Sequence, residues 1–503
     1  MPHPRHAMTD RPSRRAVSRR AFLRRAAASS ALAALPGGML AALAGRPRAK
    51  AQPRPDARFL FVITASGGAS ILDGFLPVVE TEVSSLERAR RLLTYPEAAV
   101  AQPAGSQLRC VRNLGRPGPF RNGYDLEGFL RAHAEDTAVV TVENTSVNHV
   151  VAQKRAITGA GIHGGRTLME AMAEVHGEGL LLPNCNMGAG GYLEPGDAAD
   201  VPTAARAEII ANPMLFAVST HGSRGVPRAP GADVIARARA TRERLEGASP
   251  FAARFASSRL RERYLRLRRE LAPDIEAADL IHSLLLVQES EDVPLGAFGL
   301  RESEDAAALR AVFPGLGVDT LQTQAALAFL LAKHGVATAL TFGPGFAPNV
   351  LPSGLPDTPI AFDFSHSDHL TAQNVMWSRV MEAADGLIRL LKDAPFEEGT
   401  LWDRSLIYVA TDFGRSKERP AESQSFGSGH HLNNGNVLIS PLLRGNRVYG
   451  GVDPETCLTY GFDPATGEPD RDTVMREGHL YSLVCQAMGI DFRGRHDMRG
   501  LLR

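Results

Sequence analysis

The sequence predicts an α/β protein: a mostly parallel sheet flanked by helices, interrupted by a helical insertion. Three observations lead there. Continuous apolar runs of strand length recur along the chain, helical patterns fall between them, and one long Arg-rich stretch has no strand character. The first run, Arg58–Ala65 (RFLFVITA), ends in Ser66-Gly67-Gly68 and suits a strand buried on both faces. Ala138–Val142, Val336–Phe342, Ser405–Ala410 and Asn436–Ile439 follow as further strands. Helices are expected over Thr323–Lys333, His369–Lys392 and His479–Met488. Phe251–Glu291 reads as a long helical segment within an insertion at about 235–320, and the Pro/Gly-rich stretches near 183–233 and 343–359 read as loops.

The chain has 503 residues, 44% of them hydrophobic, which excludes a disordered, collagen-like or disulfide-knotted protein. Charge is unevenly placed. Residues 1–51 hold 11 Lys+Arg against one acidic residue, so the remainder is net −9. A body of that sign is a poor general binder of nucleic acid, whose affinity needs a basic footprint.

The basic leader contains Ser18-Arg19-Arg20-Ala21-Phe22-Leu23-Arg24, then a weakly apolar stretch, then Ala49-Lys50-Ala51. That order is a twin-arginine signal peptide cleaved after Ala51. Its expected partner is the twin-arginine translocase, its destination the periplasm or the outside, and its mature part a single domain over 52–503. No later run reaches about 18 apolar residues, so no transmembrane anchor is expected. Cys110, Cys185, Cys457 and Cys485 match no zinc or haem spacing and are read equally as disulfide partners or buried thiols.

In a parallel sheet, ligands bind beyond the carboxyl ends of the strands. Polar residues gather after the runs: Ser70 and Asp73 after the first, His149 after the second, Asp363 and His366 after the third, and Asp412, Arg415, His430 and His431 after the fourth. Imidazole with carboxylate suits zinc, manganese or iron, and calcium is a further candidate. Asp363, His366, Asp412, His430 and His431, with Asp73, are the expected ligands. Two such clusters could hold two metals about 4 Å apart and clamp both oxygens of an ester displacement. Ser70 reads as an oxygen nucleophile or a helix N-cap. His149 reads as a proton shuttle or a structural histidine. Arg415 reads as an anion clamp or a structural partner of Asp412.

The segment Gly67-Gly68-Ala69-Ser70-Ile71-Leu72-Asp73-Gly74-Phe75-Leu76-Pro77 resembles the opening of the domain-of-unknown-function 1501 family. Asn148-His149…Gln153, Phe362-Asp363-Phe364-Ser365-His366, Thr411-Asp412-Phe413-Gly414-Arg415 and the Gly-rich segment Arg444–Gly451 are similar to later blocks of that family, in order. The resemblance implies an alkaline-phosphatase-like core, as in phosphatases and sulfatases, holding two divalent metals at the strand ends. It implies an exported metal-dependent hydrolase of phosphate or sulfate esters. Two departures, the extra residue between Asp363 and His366 and His430 in place of an acidic residue, point instead to a non-catalytic binding protein on a degenerate hydrolase scaffold.

Overall fold

The computed structural model describes residues 53–112, 124–188, 190–193, 195–220, 230–278, 280–344, 361–420 and 426–503. The leader, with its twin-arginine motif, lies outside the described residues, as do residues 345–359 of the second expected loop.

Eight strands form the main sheet: β1 (Phe59–Ala65), β2 (Thr137–Glu143), β3 (Asn184–Asn186), β4 (Glu208–Ile209), β5 (Ala339–Phe342), β6 (Ser405–Thr411), β7 (Asn433–Ile439) and β8 (Arg447–Tyr449). Their spatial order is β8-β2-β7-β6-β1-β5-β3-β4. Only β7 runs against the others, pairing antiparallel with both β6 and β2. The sheet is therefore mostly parallel, as the apolar runs predict.

Alternation along each strand feeds two cores. On β1, Phe59, Phe61, Ile63 and Ala65 pack on one face, while Leu60 and Val62 pack on the other. The first face is covered by α4 (Thr320–Lys333) and α5 (His369–Asp393), together with α1 (Leu126–His133). The second is covered by α2 (His149–Thr158), α3 (Leu168–His176) and α6 (Glu477–Ala487). Truncating a side chain such as Phe61, fully buried here, costs about 3–5 kcal/mol through lost transfer energy and the cavity left behind. Helix α5 shows why a 25-residue helix forms. Asp368 caps it by accepting from the Thr371 N–H, and Ala372, Met376, Val380, Leu387 and Leu391 recur on its buried side.

The Arg-rich middle is not one long helix. Pro250–Arg254 stands apart, residues 259–278 run on as one helical stretch with a π-helical turn at Leu267–Leu271, and Ile281–Leu284 follows separately. Pro250 and the capping serines Ser249 and Ser258 restart the backbone, so high helix propensity does not give continuity. The stretch 183–233, expected as loop, contains β3, β4 and the helix Pro213–Ser219. All four cysteines are buried and free. Among the described residues, no helix is long and apolar enough to cross a membrane.

Candidate metal centre

Strands β1 and β6 lie side by side in register, with Ala65 opposite Thr411. Asp412, the next residue after β6, therefore meets the turn after β1. Its fully buried carboxylate accepts the backbone N–H of Gly67 at 3.1 Å and of Gly68 at 2.7 Å. Both glycines have positive φ, +97° and +78°. A Cβ on Gly67 would sit 2.2 Å from the Asp363 nitrogen, and one on Gly68 2.8 Å from Arg415 Nε. Only glycine lets the loops bearing Asp363 and Arg415 close over this turn.

The same carboxylate orients His149, the first residue of α2. Asp412 Oδ2 lies 2.8 Å from His149 Nδ1, and a carboxylate only accepts, so Nδ1 carries the proton and Nε2 the lone pair. His149 Nε2 faces Asp363 Oδ1 at 3.1 Å. His430 is fixed in the same way: its Nδ1–H donates to the Val147 carbonyl at 2.9 Å, and its bare Nε2 lies 2.8 Å from His366 Nε2. His366 Nε2 is 3.5 Å from Asp363 Oδ1.

Four acceptor atoms, from His149, Asp363, His366 and His430, thus lie within 4.8 Å of one another. The Arg415 guanidinium already reaches two of them, Asp363 Oδ1 at 3.1 Å and His366 Nε2 at 3.2 Å, and a single cation would satisfy all four together. Zinc bonds of about 2.0–2.1 Å in tetrahedral geometry set ligand atoms about 3.3 Å apart, close to the separations here. The group could hold a metal ion. The partners behind His149 and His430 are the kind that orient metal-bound imidazoles. One side is open to water, since the His366 side chain is 46% exposed and that of Asp363 35%.

His366 and His430 are kept ready to coordinate. Burial pushes the pKa of His366 down and the Arg415 guanidinium adds to it. Burial does the same to His430, helped by Arg415 and the neighbouring histidines. Neutral imidazole is the form that binds a metal.

The remaining expected site residues fall elsewhere. Asp412 supports His149 instead of pointing into the group. His431 lies on the far side of a short ribbon in which Gly414 pairs with His431 and Arg415 with His430. Directly opposed residues share a face and neighbours alternate, so Arg415 and His430 point inward together and His431 outward. There it lines a cavity with Ser416, Lys417 and Leu458. Asp73 is buried against His369, both oxygens 3.1 Å from its Nε2. Burial opposes its charge, yet His369 and the Tyr95 hydroxyl hold the carboxyl below the usual carboxylate value.

Ser70 is fully buried, its N–H donating to Gln373 and its carbonyl accepting from the Trp377 indole, so it meets no substrate. Arg415 is also fully buried. It donates to the carbonyls of Gly67, Phe362 and Ser428 and to Asp363, and so ties three loops together instead of reaching for an external anion. Among the described residues the structure gathers one group of possible ligands and not the two clusters expected. Sequence reasoning missed His149 as a member. Its position at the first turn of a helix directly after a strand was the available signal. Neither a protein-family model nor a curated protein matches the chain.

Proposed function

We propose that the protein is an exported, metal-dependent hydrolase of phosphate or sulfate esters that works with a single cation, on an alkaline-phosphatase-like core. The observation that carries this reading is the convergence of His149 Nε2, Asp363 Oδ1, His366 Nε2 and His430 Nε2, with the tautomers of His149 and His430 fixed from behind and one face open. A divalent cation held there supplies Lewis acidity toward an ester oxygen and an attacking water. Zinc fits the three-imidazole, one-carboxylate donor set first, and manganese or iron next. Asp412 keeps His149 in its coordinating tautomer, and Arg415 holds the Asp363 and His366 loops at their spacing. The leader and the family resemblance support export and the ester class.

The test is zinc, manganese or iron loading of residues 52–503, followed by turnover on aryl phosphates, phosphodiesters and aryl sulfates. Turnover that needs the metal and is lost in His149→Ala supports the reading; no bound metal and no metal-stimulated turnover overturns it. The burial of both Ser70 and Arg415 favours a second reading, a binding protein on a hydrolase scaffold. Under it, metal binds but no ester is cleaved.

A further inference from the structure

The helical insertion forms a hairpin, and ion pairs set its geometry. Arg239 meets Glu276, Glu243 meets Arg269 and Glu246 meets Arg268, so partner numbers fall as residue numbers rise and the two arms run antiparallel. The arms are the helix Ala232–Gly247 and the helical stretch 259–278, joined through Pro250–Arg254. Leu271, Ile275 and Ala278 pack against the main core and root the second arm. Toward the joined end that packing stops. The first arm has no buried residue, and Ala252 is the only buried one among the described side chains of 232–278.

Four large apolar side chains stand in water at the joined end. Leu245 is 64% exposed, Phe251 63%, Phe255 42% and Leu260 79%. The rings of Phe251 and Phe255 meet with centroids 4.6 Å apart. Single exposed apolar residues are ordinary, but four at one end of a hairpin mark a contact surface. Charge singles out the same end. Residues 232–278 carry 11 Arg against seven Asp and Glu, so the net −9 of residues 52–503 conceals +4 here and −13 elsewhere. Between Gly247 and Arg261 there is no acidic residue, while Arg254, Arg259 and Arg261 fall there. Arg242, Arg244 and Arg254 are exposed, whereas Glu243, Glu246 and Glu276 are engaged by the ion pairs above.

Apolar side chains interleaved with arginine suit the boundary of an anionic bilayer. The apolar groups enter the acyl region, and the guanidiniums stay among the headgroups with their stems along the apolar surface. Each arginine near the surface adds attraction. The same surface repels the acidic body, which turns the joined end toward it. A protein partner fits less well, since four part-covered side chains offer less than the roughly 800 Å² per partner that a stable interface buries.

We propose that residues 242–260, the joined end of the hairpin, dock the protein on an anionic lipid surface. Leu245, Phe251, Phe255 and Leu260 enter the interface, and Arg242, Arg244 and Arg254 bind the headgroups. No described helix is long and apolar enough to cross a membrane, so the contact is with one face of the bilayer. The metal centre takes no part in it, and the two proposals stand or fall separately.

The experiment sediments the chain, residues 52–503, with vesicles of phosphatidylcholine alone or with about 30% phosphatidylglycerol, at low and high salt. It compares the wild type with two triple variants. One carries Phe251→Ser, Phe255→Ser and Leu260→Ser, the other Arg242→Gln, Arg244→Gln and Arg254→Gln. The wild type should bind the anionic vesicles, weakly at high salt, and bind phosphatidylcholine little. Each variant should lose about 10-fold or more of that affinity with an unchanged melting midpoint. A wild type that leaves the anionic vesicles unbound, equal binding to both vesicles, or variants that bind like the wild type overturns the proposal. Should a variant fail to fold, the wild type's lipid preference and salt dependence decide. A wild-type dimer in light scattering that the apolar triple variant turns into a monomer shows a second copy seated on this end, and also overturns the lipid assignment.

Discussion

Asp412 and Lys417 are both buried charges, and they differ in how they are compensated. Asp412 receives two backbone N–H groups and the His149 ring. Replacing it by Asn keeps the shape but removes the charge that fixes the Nδ1–H tautomer. Zinc affinity of Asp412→Asn, measured by competition with a chelating dye, should fall about 10–100-fold. Lys417 is buried with an ammonium that has no hydrogen-bond partner among the described residues. Burial lowers its pKa to about 8, against an opposing pull from Asp73. A lysine pKa lowered by folding means that the charged form destabilises the fold. The cost is fully present below about pH 8 and fades as pH rises toward the unfolded value near 10.5. At pH 7 it is on the order of 3 kcal/mol. Lys417→Met should therefore raise the melting midpoint at pH 7, with the gain shrinking by pH 10; an unchanged or lower midpoint at pH 7 would show that the ammonium has a stabilising partner.

Elements decide which residues of a motif can meet. The run Gly429-His430-His431 offers two imidazoles to a reader of sequence, but the ribbon sends one to each side. The period-2 pattern was visible in principle; that this segment is extended was not, because two residues are too few to carry a pattern. Asp363 and His366 were legible as a pair because the 3-10 turn Phe362–His366 puts them on one side. The turn Gly67-Gly68 is likewise element-level: Gly68→Ala meets positive φ and a Cβ 2.8 Å from Arg415, and should lower stability by about 1–3 kcal/mol in urea unfolding. At the far end, the rings of His479 on α6 and His496 stack 3.8 Å apart. Burial first, then His496, lowers the His479 pKa to about 4. Folding thus favours its neutral form. That stability is whole above the unfolded value near 6.5 and is lost as pH falls toward 4. His479→Gln should flatten the acid side of the stability curve between those limits by on the order of 1–3 kcal/mol.

Across the whole molecule, the central strands were readable because burial on both faces makes them continuous apolar runs. The short strands β3, β4 and β8 were not, being only two or three residues long with polar members such as Asn184, Asn186 and Arg447. The reversal of β7 was also hidden, since no residue in it announces direction. Yet that reversal places its first residue, Asn433, opposite Glu143 at the end of β2, and so brings His430 to the rim where the parallel strands finish. The candidate centre is a product of topology, with ligands spread from residue 149 to 430. A cation joining such distant segments should stabilise the chain by mass action, about 2.7 kcal/mol at 100 times its dissociation constant.

The most direct measurement is the metal content of zinc-loaded, desalted protein for the wild type and for His149→Ala, His430→Ala and His431→Ala. One equivalent in the wild type and in His431→Ala, with none in the other two, is the expected result. Zinc retained by His430→Ala or lost by His431→Ala would contradict the placement of the ligands on which everything here depends.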